Sequence, residues 1–125
     1  MILVDTSVWI DHLHRADQHL EALLDRNDVS VHSMVIGELA LGTIAGRDTF
    51  LSLLSALPAV AEAAHAEVLG FVATRRLHGR GLSLVDAHLL ASAVLSKETL
   101  LWTRDQRLVG AAAELGLAWD AAADS

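Results

Sequence analysis

Four acidic residues occupy positions where a carboxylate could hold a cation: Asp5, Glu38, Asp86 and Asp105. Asp5 follows the apolar run Ile2-Leu3-Val4, and Asp105 comes shortly after Leu100-Leu101-Trp102, so both lie just past expected strands. Asp86 shares a helical face with Leu89, Leu90 and Ala93, which turns it inward. Glu38 has Met34, Val35, Leu41 and Gly42 as helical neighbours and interrupts a stripe expected to face the core. A carboxylate there would be driven to protonate unless a cation compensates. Oxygen-only donors suit hard cations such as Mg²⁺ or Mn²⁺. An ion of that kind can polarise a phosphodiester, activate water and stabilise a leaving oxygen. Thr6, Ser7 and Thr103 could orient water or touch phosphate, and Arg104 and Arg107, flanking Asp105, could hold a nucleic-acid backbone.

Each acid also has a plainer role. Asp5, Thr6 and Ser7 are all good N-caps, and capping is the more expected role for Ser7. Ser83 with Asp86 forms a capping-box pattern; Asp105 could cap the helix that follows it, with Thr103 and Gln106 as an alternative box. A rotated helix would bring Glu38 to the surface beside Gly42. Taken singly, three of the four acids read as helix punctuation. Taken together, they gather next to strand ends or on inward faces, which favours a shared site.

The elements that must position them alternate in type. Strands are expected at Ile2–Val4, Val29–His32 and Thr99–Trp102, with a short final one at Leu117–Trp119. Helices are expected over Ser7–His14, His19–Arg26, Phe50–Ala56, Ala63–His78, Val85–Lys97 and Gln106–Leu115. A further helix, capped by Ser33, should run to about Ala45 and stop at Gly46. Short apolar strands alternating with helices imply an α/β fold with a parallel sheet covered on both faces. Sites in such sheets form beyond the carboxyl ends of the strands.

The 125 residues fit one domain, 1–125, with no linker or repeat. At 53% hydrophobic and 20% charged, the chain has the composition of a globular protein with a full core. It has no cysteine, which excludes disulfides, thiolate metal sites and cysteine nucleophiles. Met1-Ile2-Leu3-Val4-Asp5 lacks the basic lead of a secretory signal, and no apolar run reaches membrane-spanning length, so a cytoplasmic protein is expected. The net charge of −7 argues against a broad basic nucleic-acid surface and points to a basic partner or to carboxylates gathered around metal. Arg75, Arg76 and Arg80 with His78 form the single basic cluster. Trp9 and Trp102 suit core packing better than base stacking.

Other chemistries find little support. The seven histidines show no zinc spacing, and most are expected at the surface; His88, two residues from Asp86, points to a different helix face and is not expected to take part. There is no phosphate-binding glycine loop, and Gly79-Arg80-Gly81 reads as a turn. A nucleophile elbow is missing too. Asp5-Thr6-Ser7-Val8 lacks the second Asp of haloacid-dehalogenase phosphatases.

Leu3-Val4-Asp5-Thr6-Ser7-Val8-Trp9-Ile10-Asp11 resembles the opening of the PIN-domain ribonucleases, specifically the VapC toxins of VapBC toxin–antitoxin pairs. Ile36-Gly37-Glu38-Leu39 with Gly42, Leu84-Val85-Asp86-Ala87 with Leu90-Ala91, and Leu101-Trp102-Thr103-Arg104-Asp105 resemble the later motifs, in order along nearly the whole chain. The resemblance implies a three-layer α/β/α PIN fold and endonucleolytic cleavage of RNA with Mg²⁺ or Mn²⁺. It implies a metal cluster of Asp5, Glu38, Asp86 and Asp105, a homodimer, and a VapB-like antitoxin that blocks the acidic site. Two departures stand out. Leu108 occupies a position where an aromatic is common, and Arg107 one where some members carry a further acid, which counts against a second metal site. Two alternatives remain: a PIN-like module that binds RNA or protein without catalysis, and a metal-dependent phosphatase or DNase.

Overall fold

A computed structural model describes residues 1–124. The elements run β1 (Ile2–Val4), α1 (Thr6–His14), α2 (Gln18–Asp25), β2 (Val29–Ser30), α3 (Ser33–Ala40), α4 (Arg47–Ser55), α5 (His65–Thr74), α6 (Leu84–Leu95), β3 (Leu100–Trp102), α7 (Gln106–Glu114) and α8 (Ala121–Asp124). The strands form a parallel sheet in the order β2-β1-β3. Ile2 pairs with Val29 on one side and Leu100 on the other, and Val4 pairs with Trp102. Isolated parallel bridges widen it at both edges, Val31 to Ala59 and Leu101 to Ala118. The expected last strand, Leu117–Trp119, is reduced to the second of these bridges.

Side chains alternate between faces along a strand, yet Ile2, Leu3 and Val4 are all buried. Both faces of the central strand are therefore covered by helices, the three-layer α/β/α arrangement expected of continuous apolar strands. Helix α6 packs against β3 and α5, and α3 packs against α1 and α4. Helix α7 contributes Leu108, Ala111 and Ala112, all fully buried, at the i, i+3, i+4 spacing of one helical face. Trp9 and Trp102 are core residues, as their types suggested; Trp9 meets Phe50 edge-on at 6.1 Å and Trp102 meets Trp119 at 4.7 Å.

Several boundaries differ from the sequence reading. Helix α3 ends at Ala40 instead of Ala45, because Gly42 and β-branched Thr43 are poor continuations of a helix. Gly46, expected as its stop, begins α4 in the left-handed conformation at φ 62°. Ser33 does not cap α3: His32 Nδ1 accepts from Met34 N at 3.0 Å, while Ser33 N and Oγ donate to Glu62 at 3.0 and 2.6 Å. The expected helix over 63–78 is shortened to α5, closing where Arg76 turns left-handed at φ 54°. Two histidines, His32 and His88, are buried, their rings edge-to-face at 6.2 Å. Among the described residues, no helix is long and apolar enough to cross a membrane.

Leu90 sits at the centre of α6 with no exposure and belongs to the main core cluster. Leu90→Ala should therefore destabilise the fold by about 2–5 kcal/mol, as core leucine truncations do. Urea denaturation monitored by circular dichroism checks this; a change under about 1 kcal/mol would show that α6 is not packed as described.

Candidate active site

Because β3 lies directly beside β1, the chain leaving each strand emerges at the same carboxyl edge. Asp5 N donates to Trp102 O at 2.9 Å, carrying the pairing one residue past the strand. That register sets Asp5 against Thr103. The Thr103 and Ser7 hydroxyls both donate to Asp5 Oδ2, each at 2.7 Å. Asp5 is only 6% exposed and occupies the N-cap position of α1, yet its side chain makes no capping hydrogen bond. The capping explanation for Asp5 therefore fails: the carboxylate is turned across the sheet edge instead. Ser7 is not a cap either; its oxygen also accepts from Arg104 N at 3.1 Å.

The other two aspartates cap helices and also face the site. Asp105 Oδ1 accepts from Leu108 N at 3.0 Å at the start of α7. The alternative box of Thr103 and Gln106 does not form, because the Thr103 hydroxyl donates to Asp5 and accepts from Asp105 N at 3.1 Å. Asp86 Oδ2 accepts from Ser83 N at 2.9 Å and Asp86 N donates to Ser83 Oγ at 3.0 Å, the reciprocal capping box. In all three aspartates one oxygen takes every hydrogen bond and the other takes none from the described residues. Burial pushes the Asp86 carboxyl above its ordinary value, against the hydrogen bonds from Ser83; the charges of Asp5 and Asp105 push it further up. The three carboxylates thus share one electrostatic environment.

Glu38 stands apart. It was expected on the buried face of α3, but that face is Val35 and Leu39, and Glu38 is exposed. The helix is rotated so that the carboxylate reaches the surface. There it accepts a 2.6 Å hydrogen bond from Thr6 Oγ1, which tethers it to the residue next to Asp5. Arg104 is also placed differently from a free phosphate ligand. Its guanidinium bridges Asp11 and Asp17 at 2.5 Å each and lies over the Trp102 ring. The sequence reading missed Asp17, whose available signal was its N-cap position before α2, where it accepts from Leu20 N.

The donor chemistry fits a hard divalent cation. Asp5, Asp86 and Asp105 offer oxygens only, and the raised Asp86 carboxyl reports like charge that a cation would offset. Among the described residues, however, no three His, Asp or Glu side chains converge closely enough to hold an ion by themselves. The arrangement suits an ion of the Mg²⁺ type, which keeps several waters and takes few protein ligands, rather than a closed protein cage.

The chain matches the PIN domain family over residues 2–114. It belongs to the PIN domain family. It is 53% identical over 118 residues to Ribonuclease VapC32 of Mycobacterium tuberculosis, in strains CDC 1551 / Oshkosh and ATCC 25618 / H37Rv; the match covers 94% of this chain and 95% of the relative. The crystal structure of PAE2754 from Pyrobaculum aerophilum is similar in fold, with a TM-score of 0.59 at 21% identity over 88% of this chain and 78% of that one. In this PIN domain the charges of Asp5 and Asp105 act on Asp86, while Glu38 is tied to Thr6.

The raised Asp86 carboxyl carries a consequence for stability. An acid whose folded pKa lies above its unfolded value weakens the ionised fold; the penalty is full above the folded pKa and fades as pH falls toward the ordinary 3.8. Asp86→Asn keeps an oxygen for Ser83 N and removes the charge. In EDTA at pH 7 its melting temperature should equal or exceed that of the wild type, and the gap should narrow toward pH 4. Thermal melts across that range check the sign; a variant markedly less stable at pH 7 would show that Asp86 is held chiefly as a cap.

Proposed function

We propose that this PIN domain is an endoribonuclease dependent on Mg²⁺ or Mn²⁺, acting in the cytoplasm as the toxin of a toxin–antitoxin pair. The observation that carries the reading is the Asp5 carboxylate: buried at the end of the central strand, held by two hydroxyls, not used as a cap, and electrostatically coupled to Asp86. The 53% identical relatives bear the name Ribonuclease VapC32, which supports RNA as the substrate and a VapB-like antitoxin as the partner.

On this reading Asp5, Asp86 and Asp105 hold the ion and Glu38 completes the cluster from the rim. When bound, a divalent cation supplies charge neutralisation, polarisation of the phosphodiester and acidification of a water. The chain's own groups do the positioning. Ser7 and Thr103 fix the orientation of Asp5 through one oxygen and leave the other without a hydrogen bond from the described residues. Thr6 does the same for Glu38. The Ser83 box and the Leu108 amide hold Asp86 and Asp105 in register, and Arg104, tied to Asp11 and Asp17, fastens the β3 exit to α1 and α2. A homodimer belongs to the same reading.

The antitoxin is proposed to inhibit by bringing a basic side chain to the carboxylates in place of the cation. Arg–carboxylate pairs are strong and geometrically specific when shielded from water. A groove of about 390 Å³ beside Glu38, lined by Ile10, Leu13, Leu39 and Ile44 among others, would take apolar residues of the same segment.

Two measurements test the reading. Purified protein should cleave RNA, lose activity in EDTA and regain it with Mg²⁺ or Mn²⁺; Asp5→Asn, nearly isosteric and still able to accept from Ser7 and Thr103, should lose at least about 100-fold in rate with the fold intact. Undiminished cleavage in EDTA would sink the metal mechanism, and wild-type cleavage by Asp5→Asn would remove Asp5 from the site. A parallel panel of DNA and small phosphoesters separates ribonuclease from DNase or phosphatase. For the partner, calorimetric titration with the product of the neighbouring gene should show weaker binding in excess Mg²⁺ and in Glu38→Gln. Indifference to both would leave inhibition to steric cover from the apolar groove.

A further inference from the structure

The arginines of this chain are not equivalent in what they touch. Arg104 is committed to Asp11 and Asp17, and Arg80 to Glu114 at 2.7 Å. Arg107, in the first turn of α7, makes no hydrogen bond or ion pair to any described residue, and it is exposed. Its side chain runs back toward the turn before α6. A Cβ added to Gly81 would come within 2.9 Å of Arg107 Cδ and Nη1 and 3.0 Å of its Cζ, so the side chain and guanidinium lie directly on the Gly81 backbone. Gly81 is left-handed, at φ 76°, a second reason for the absence of a side chain there.

Both ends of this contact adjoin the acidic site. Gly81 lies two residues before Ser83, whose backbone amide and hydroxyl hold Asp86. Arg107 follows Asp105 by two residues on the turn that Asp105 caps. The guanidinium therefore lies near the two helix starts that carry Asp86 and Asp105, with its donors unspent among the described residues. A protein of net charge −7 that gathers carboxylates at its site repels a polyanion. One positioned guanidinium can offset that locally, because its planar set of donors matches phosphate oxygens. We propose that Arg107, laid across Gly81, binds a phosphate of the RNA backbone next to the cleaved bond and sets the strand's position over Asp86 and Asp105. This rests on the ribonuclease reading and deepens it by assigning a substrate contact that neither helix cap nor ion would provide.

The test compares wild type, Arg107→Ala, Arg107→Gln, Arg107→Lys and Lys97→Ala. Lys97 is exposed beyond the far end of α6, about 18 Å of helix away from the Asp86 end, and its removal makes the same change in net charge. Each protein is assayed for cleavage of a single-stranded RNA oligonucleotide with Mg²⁺, and for binding of the same RNA in EDTA by fluorescence anisotropy over a salt series. Arg107→Ala and Arg107→Gln should raise KM about three- to tenfold while leaving kcat near the wild-type value, the pattern of a lost uniform binding contact. The slope of log affinity against log salt should shrink by about 0.7, one phosphate contact on a single strand. Arg107→Lys should recover the slope but not all of the KM, since a point charge lacks the paired donors. Lys97→Ala should change neither. A KM and slope unaltered in both Arg107→Ala and Arg107→Gln overturn the assignment, as does an equal change in Lys97→Ala, which would make the effect one of overall charge. Wild type that binds RNA without cutting it would defeat the ribonuclease reading and leave the salt slope to decide Arg107; wild type that does neither overturns both.

Discussion

A carboxylate taken out of water must be hydrogen-bonded, and Asp5 meets that requirement with groups from two chain segments far apart in sequence. Ser7 comes from the turn after β1, and Thr103 from the exit of β3, 98 residues away from Asp5. Thr103 reaches it only because β3 lies parallel to β1 with Val4 opposite Trp102. A slip of one residue in that pairing would turn Thr103 to the other face and leave Asp5 oxygens unmet. The register of the sheet, the burial of β1 on both faces and the geometry of the acidic edge are thus parts of one constraint.

Around Asp5 the remaining carboxylates are placed by helix starts. The positive end of a helix tolerates an acid, and capping fixes its rotamer. In Asp86 and Asp105 capping engages one oxygen and leaves the second without a hydrogen bond from the described residues, so an acid in the first turn of α6 and the one that caps α7 each keep an uncommitted oxygen. The Asp86 carboxyl is raised above its ordinary value chiefly by burial, with the repulsion of Asp5 and Asp105 adding to it, against the hydrogen bonds from Ser83. A site that stores like charge in the free protein is poised to gain on binding a cation.

The basic residues divide the labour around this negative edge. Arg104 is neutralised by Asp11 and Asp17 and serves to fasten α1 and α2 to the β3 exit, with Trp102 beneath it. Arg107 lies against the Gly81 backbone and is not neutralised by any described residue. Close in sequence, they differ in surroundings because one side chain projects toward α1 and α2 and the other toward the Gly81 turn.

The architecture was legible from periodicity: three apolar runs became β1, β2 and β3, and most helices lie within a few residues of their expected spans, because burial on both faces and helical spacing are local signatures. The capping box of Ser83 and Asp86 was equally local and equally readable. Rotation about a helix axis was not. Glu38 was expected inside α3, and it reaches the surface because packing of α3 against α1 and α4 selected Val35 and Leu39 as the inward face. The burial of His32 and His88 likewise depends on neighbours distant in the chain. Four acids in suggestive positions could be named from the chain alone, since each stands beside a strand end or on a helix pattern. Whether Asp5 capped its helix or crossed the sheet edge was decided only when β3 brought Thr103 beside it, because a side chain chooses its hydrogen bond from the partners that folding supplies.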